Sequence, residues 1–395
     1  MTPGNPAPKA PGWRRLGASI YLPTGLSMLG MGAVSPLIAL SARALGASVS
    51  EAAFVVALLS LGGLLGALPA GVLAGRFGER RVLIAAMLVD AVAIAVMAWA
   101  PNVLILGASV LTVGLAGAVL ILARQTYLTT AVPFRYRARA FSTLGGVFRI
   151  GSFVGPLLGA AVLSVGGLVA AYLMASAVSV VAAMITLTLP DLPGTQAAHE
   201  PVGLGRILVE HRWTYATVGV GAATLMLVRS SRDAVLPLWG DHIGASAATI
   251  SLIFSLSSAV DLALVYLGGS IMDRFGRLYV AVPAIVIMGT SFAALTLTSG
   301  IPGLVAAAVS LGLGNGISSG SVMTLGSDAS PQVGRAHFLA GWRLTTGVGQ
   351  TLGPVMISTV TALAPLAVAC WAVAGLGWAG GAWLWRWGRP GAANG

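Results

Sequence analysis

Seven charged residues lie inside long apolar runs of this sequence: Asp90, Arg149, Arg229, Arg232, Asp233, Asp261 and Arg343. Charges in such a setting are costly in lipid, so each must face protein or water. The types are guanidinium and carboxylate. They can pair through charge-assisted hydrogen bonds, and the carboxylates can also carry protons. Other chemistries are poorly supplied. Lys9 is the only lysine, so no G-x-x-x-x-G-K-[ST] phosphate loop exists. One cysteine, Cys370, and four scattered histidines offer no zinc spacing and no intrachain disulfide. "GISSG" from Gly316 matches G-x-S-x-G, but it sits in an apolar small-residue run with no strand before it, which argues against a nucleophilic Ser318. No catalytic residue, metal site or cofactor is expected.

The elements that hold these charges follow from composition. The 395 residues are 57% hydrophobic and 8% charged, with mean hydropathy +0.91. An ordinary soluble domain carries about 25% charge. Eleven acids and 22 bases cannot cover the surface of a soluble protein this long. The apolar runs approach the roughly 20 residues a bilayer core requires, and helix is the form that satisfies its own backbone there. Twelve spans are expected, near 17–42, 51–74, 82–100, 103–125, 138–165, 167–189, 214–239, 247–269, 278–299, 302–327, 336–360 and 363–386. Trp99 and Trp239 mark one membrane interface; Trp13, Trp213 and the Trp383/Trp385/Trp387 cluster mark the other.

A net charge of +11 invites a nucleic-acid reading, but its distribution opposes one. Most basic residues fall at the termini or in alternate loops, among them Arg14, Arg76, Arg80, Arg81, Arg124, Arg135, Arg137 and Arg139. Arg43 alone falls in a loop of the opposite set. That asymmetry predicts both termini in the cytoplasm. The start is a Pro-rich tail (1–16) leading into a full-length span, without the short apolar region and cleavage site of a signal peptide. Residues 190–213 read as a cytoplasmic linker, with Gly205–Arg212 an interfacial helix, between six-helix halves at 17–189 and 214–386. Residues 387–395 form a cytoplasmic tail.

The halves are related by a repeat. "GVLAGRFGER" from Gly71 aligns with "GSIMDRFGRL" from Gly269: Gly71/Gly269, Arg76/Arg274, Phe77/Phe275 and Gly78/Gly276, each 198 apart. "AVPFRYRA" after span four aligns with "ASPQVGRA" after span ten, and "GSFVGP" at Gly151 with "GQTLGP" at Gly349, in the same register. A parallel duplication of a six-span unit explains three landmarks at one offset.

Two parallel six-helix halves, a central linker, G-x-x-x-[DG]-R-x-G after the second span of each half, and "GSFVGPLLGA" in span five together resemble the major facilitator superfamily over the whole chain. The resemblance implies an all-α membrane protein of that fold: a secondary transporter working by alternating access. Export of a small organic solute against protons is the implied activity. The span-five motif is similar to the Gly-Pro motif of that superfamily's antiporters. Two departures stand out. Gly75 replaces the acid of the N-half loop motif, and span four lacks the mid-helix arginine of R-x-x-Q-G, with Arg124 placed at the cytoplasmic end instead. An uncoupled facilitator or importer of an organic anion, and a non-transporting receptor or subunit, are the alternatives. The expected partners are membrane lipids, protons and a small-molecule substrate, anionic by the excess of intramembrane arginine, and no nucleic acid. The expected setting is a bacterial cytoplasmic membrane, as a monomer.

Residue roles follow. Gly269 and Gly276, like Gly71 and Gly78, supply tight turn geometry, and Arg76, Arg274 and Arg277 reach anionic headgroups. The resemblance sets Asp273 against the start of span five as a latch for the cytoplasm-closed state; a solvated turn charge is the other reading. Gly151, Gly155 and Gly159, with Pro156, offer either close helix packing or a hinge; Gly349, Gly353 and Pro354 are their repeat mates. Arg229, Arg232 and Asp233 can snorkel to the extracytoplasmic interface or face a cavity; Arg343 can snorkel to the cytoplasmic one. Asp90 reads as a structural polar contact. Arg149, eight residues from Phe141, and Asp261, eight from Gly269, each lie about 12 Å from the cytoplasmic face. In the superfamily's fold, spans five and eight are neighbours across the halves. A coupled proton site and a static salt bridge are both open for this pair.

Overall fold

The computed structural model describes residues 17–190, 205, 209–332 and 334–388. Residues 1–16, 389–395 and most of the 190–213 linker lie outside the described residues; of the expected interfacial helix at 205–212, residues 205, 209, 210 and 212 are helical and 206–208 lie outside. Twelve helices form, and no strand occurs among the described residues. They are α1 Leu22–Ala44, entered through a wide turn at Gly17–Tyr21, α2 Val49–Phe77, α3 Glu79–Ala98 and α4 Val103–Ala131. Helices α5 (134–166) and α6 (168–186) form one run, Phe134–Thr186, broken at Gly167, whose φ of 70° interrupts the helix. In the second half come α7 Val220–His242, α8 Ala247–Phe275, α9 Leu278–Leu295, α10 Ile301–Ile317 resuming as Ser321–Ala329, α11 Arg335–Thr361 and α12 Leu366–Trp387.

The repeat extends into the backbone. Ser48 caps α2 by accepting from the Glu51 amide at 3.2 Å, and Ser246, 198 residues on, caps α8 by accepting from the Thr249 amide at 3.2 Å. Gly46 (φ 85°) and Gly244 (φ 74°) occupy the same place before those caps. Gly78 (φ 83°) and Gly276 (φ 100°) end α2 and α8 in a conformation that favours glycine. Gly71 and Gly269 are different. They lie within the helices, and a Cβ at Gly269 would meet nothing within 4 Å, so the turn geometry rests on Gly78 and Gly276 alone.

Small residues pull the helices of each half together. A Cβ on Gly151 would meet Met28 Cβ at 2.6 Å and the Gly25 carbonyl at 3.0 Å, and one on Gly155 would meet the Ala33 amide at 2.8 Å. Gly159 likewise abuts Ala33, so one face of α5 lies directly on α1. Pro156 packs beside Gly32 of α1. In the second half Gly349 and Gly353 lie against α7 at Ala223 and Leu227. Leu37, Val110, Tyr172, Val235, Phe292 and Phe338 fill the interior. Outward faces remain apolar: Leu104, Val165, Tyr266 and Leu363 are almost fully exposed, a surface suited to lipid.

Several helices outrun their hydropathy. Helix α4 continues past Arg124 to Ala131, with the Thr129 and Thr130 hydroxyls donating to carbonyls one turn back. Arg124 is therefore no loop charge; it is 1% exposed. Trp239 is also buried, against its expected interface role, whereas Trp99 and Trp213 are exposed. Helical structure from Arg212 through His242 puts Arg229, Arg232 and Asp233 near mid-length of α7 rather than at an end.

Candidate functional site

One end of the bundle carries both ends of the described chain and the basic loops; it is called here the basic end, and the other the distal end. Contacts between the halves cluster distally. Arg43 Nε donates to Asp241 Oδ2 at 3.0 Å, joining α1 to α7, and these two positions are themselves repeat mates. Ser50 Oγ donates to the Ser358 carbonyl at 2.7 Å, joining α2 to α11. Ser255 of α8 donates to the Phe153 carbonyl of α5 at 3.0 Å. Towards the basic end, the hydrogen bond between the halves among the described residues is Arg343 Nη1 to Gln125 Oε1, at 3.4 Å.

At the middle of this interface the structure brings Arg149 and Asp261 together. Arg149 Nη1 lies 3.4 Å from Asp261 Oδ1. Both residues sit deeper than the apolar runs alone suggest. Asp261 is fourteen residues from either end of α8, about 21 Å along the axis at 1.5 Å per residue. Two partners come from α10, where "GISSG" breaks the helix. Asn315 Nδ2 donates to Asp261 Oδ2 at 2.6 Å, and Arg149 Nη2 donates to Ser319 Oγ. Gly320 takes φ 84° there, and the backbone rejoins the helix at Ser321. Ser318 is fully buried and donates to the Asn315 carbonyl at 3.2 Å. Sequence reading passed over Asn315 and Ser319. The available signal was a polar, glycine-flanked break at the depth of two intramembrane charges.

A cavity of about 240 Å³ opens beside the pair, lined by Gly145, Phe148, Arg149, Ser152, Arg229, Ser258 and Asp261. Deeper along α7, Arg232 lies 3.6 Å from Asp233, 3.5 Å from Ser257 Oγ and 5.0 Å from the centre of the Phe254 ring. Arg232 thus faces the interior rather than snorkelling. A larger groove of about 520 Å³ between α3 and α4 is lined by Leu88, Val92, Val96 and Ile105 and holds no charge, as expected of a lipid-facing furrow.

The remaining candidates stand apart from this cluster. Asp273 and Arg274 are exposed at the basic end, and Asp273 makes no hydrogen bond or ion pair among the described residues. Arg277 pairs with Asp328, Nη2 to Oδ1 3.3 Å, within its own half. Arg76 is exposed. Asp90 Oδ2 accepts from Ser179 at 2.9 Å inside the first half, within electrostatic reach of buried Arg124.

Comparison with known proteins adds to this geometry. The family model described as Major Facilitator Superfamily matches residues 20–230 and 218–394. Multidrug resistance protein MdtG of Erwinia billingiae (strain Eb661) is 30% identical over 168 residues, 42% of this chain and 41% of that protein. MdtG of Escherichia coli O1:K1 / APEC is 29% identical over the same shares. The match therefore spans less than half the length of these relatives. Among solved structures, the nucleoside transporter NupG aligns with TM-score 0.73 at 16% identity, covering 92% of this chain and 98% of that one. An auto-inhibited peptide transporter of the POT family aligns with TM-score 0.77 at 14% identity, covering 93% and 95%. At such identities the likeness is one of fold.

Proposed function

This chain belongs to the major facilitator superfamily, a family of membrane transporters rather than enzymes, and from that membership we propose that it exports a small organic solute in exchange for protons. The setting is a bacterial cytoplasmic membrane, with both termini and the linker in the cytoplasm. The distal end is then extracytoplasmic, and the distal contacts between the halves describe an inward-facing state. The printed name of the MdtG relatives, multidrug resistance, supports the outward direction of transport.

The observation that carries the proposal is the Arg149–Asp261 pair with its two α10 partners, the donor Asn315 and the acceptor Ser319. It is the charged cluster that bridges two halves which must move past one another, and it stands at mid-depth beside a cavity. In the inward-facing state, Arg149 and Asn315 stabilise ionised Asp261 by charge and hydrogen bonding. Rocking of the halves separates α5 from α8 and α10 and removes the guanidinium. Asn315 and Arg229 stay with Asp261 in its own half, but the loss of its direct charge partner weakens the hold on the ionised form and favours uptake of a proton from the side then open. Return to the inward-facing state restores Arg149, and the proton leaves to the cytoplasm. Because Asp261 faces one side at a time it opens no continuous proton path, and exchange follows if the chain opens outward loaded with solute and returns only with Asp261 protonated. The Asp273 latch belongs to the outward-facing state in this scheme, and its solvent exposure here is what the scheme requires.

The test uses the purified chain in liposomes with a ligand found by thermal stabilisation. Asp261→Asn should keep ligand counterflow yet lose the response to an imposed pH gradient. A pH-driven response equal to wild type in that variant rules out the coupling role. Counterflow without any pH response in the wild-type chain would mark an uncoupled facilitator.

A further inference from the structure

The cavity contains one charge too many. Arg149 is balanced by Asp261 at 3.4 Å, and Arg232 by Asp233 at 3.6 Å. Three arginines against two aspartates leave one positive charge, and the geometry says which. Arg229 lines the cavity within electrostatic reach of all four, yet it makes no hydrogen bond or ion pair among the described residues. Arg229 faces an open cavity, where an unbalanced guanidinium attracts an anion.

The walls specify the rest. Hydroxyls in these spans mostly donate to their own helix, as in Ser27 to the Pro23 carbonyl, Ser109 to Ile105 and Thr143 to Arg139. Ser152 of α5 and Ser258 of α8, which both line the cavity, donate to nothing among the described residues. Phe148 packs against the core of the first half and also lines the cavity. Beside it, a Cβ on Gly145 would meet nothing within 4 Å. One free cation, two free hydroxyls, an aromatic wall and open space at Gly145 form a complete recognition set.

Resting on the transport reading above, we propose that Arg229 anchors the substrate, and that the substrate class is an organic monoanion, a carboxylate on a flat apolar body. The carboxylate takes the Arg229 guanidinium with Ser152 and Ser258 as additional donors, and the body lies along Phe148 over Gly145. Arg149 keeps Asp261 throughout binding, so anion recognition and proton handling fall on different arginines. A dianion exceeds the spare charge and is rejected; a neutral isostere leaves Arg229 unpaired and is rejected too.

The full chain in lipid nanodiscs tests this with simple probes. Benzoate should raise the unfolding temperature by mass action, whereas benzamide, benzylammonium and phthalate should not at equal concentration. Arg229→Met should weaken benzoate binding about ten- to hundredfold, the range for a charge-assisted hydrogen bond. The same variant without ligand should unfold at the wild-type temperature or above, since it removes an unpaired charge; a structural arginine would lower it. Arg229→Gln, a donor without charge, should lose benzoate as Arg229→Met does. Equal binding of benzamide and benzoate overturns the monoanion class, as does no binding of benzoate. Wild-type benzoate affinity in Arg229→Met overturns the anchor. None of these measurements involves a pH gradient, so the coupling role of Asp261 stands or falls separately, on its own variant.

Discussion

Buried Arg124 shows how a single residue can be misread and what that implies. Its Nη2 donates to Ser27 Oγ at 2.9 Å, but Nε and Nη1 are buried without a partner. Its counter-charge is Asp90, held by Ser179. A cation so poorly hydrogen-bonded depends on that distant carboxylate. Asp90→Asn should therefore lower the unfolding temperature, since it removes the counter-charge of a buried cation. Adding Arg124→Met should recover much of the loss, because no stranded charge then remains. Thermal unfolding of the two single variants and the double variant in detergent provides the cycle. Additive effects would show that the two charges do not sense each other.

At the scale of elements, two glycines with the same look in sequence differ in structure. A side chain at Gly155 would meet the α1 backbone, including the Ala33 amide at 2.8 Å, so Gly155→Leu should drive α5 off α1 and abolish folded protein. Gly269→Ala meets nothing and should raise stability by up to about 1 kcal/mol through helix propensity. Yields and unfolding midpoints compare the pair. The α8–α9 turn permits a second test. Asp273→Asn should weaken the outward-facing state by removing its charge–dipole interaction with the start of α5. Gly75→Asp, entering open space in the first half, should favour that state by adding a second latch. A cysteine at Ser255, 3% exposed here, reports distal opening, with native Cys370 fully buried. Equal labelling of both variants and the parent would leave Asp273 a topological charge only.

Across the whole molecule, the distal closure is built on the repeat. Arg43 breaks the charge asymmetry of the loops, and its pairing with Asp241, its own repeat mate, accounts for the exception. Both side chains are about one-third exposed, so the pair contributes about 1 kcal/mol or less. That is still enough to shift a two-state balance up to about fivefold. Arg43→Ala should raise labelling at the Ser255 cysteine by that factor. Exchanging the two residues, Arg43→Asp with Asp241→Arg, should restore the parent value, because repeat-related positions face each other. Failure of the exchange to restore it would mean that the ion pair is not the clasp.

Local and periodic properties of the chain determined much of this protein. Twelve helices, two halves in one register, and the mid-membrane charges were legible because lipid forces helix, and the 198-residue offset survives in Gly46/Gly244, Ser48/Ser246 and Gly78/Gly276. Helix ends were less legible, since α4 runs on through Thr129 and Thr130 to Ala131 where hydropathy has already fallen. Which charge meets which was not legible at all. Arg149 and Asp261 are 112 positions apart, and Asn315 and Ser319 reach them only because α10 breaks at a glycine and turns polar groups towards the interface between the halves. Sequence also treats Arg229 and Arg232 as equivalents. Their three-residue spacing on α7 turns one towards Asp233, Ser257 and Phe254 and leaves the other facing a cavity. Pairing depends on distances set by the packing of helices remote in the chain, and those distances exist only once the two halves have closed on each other.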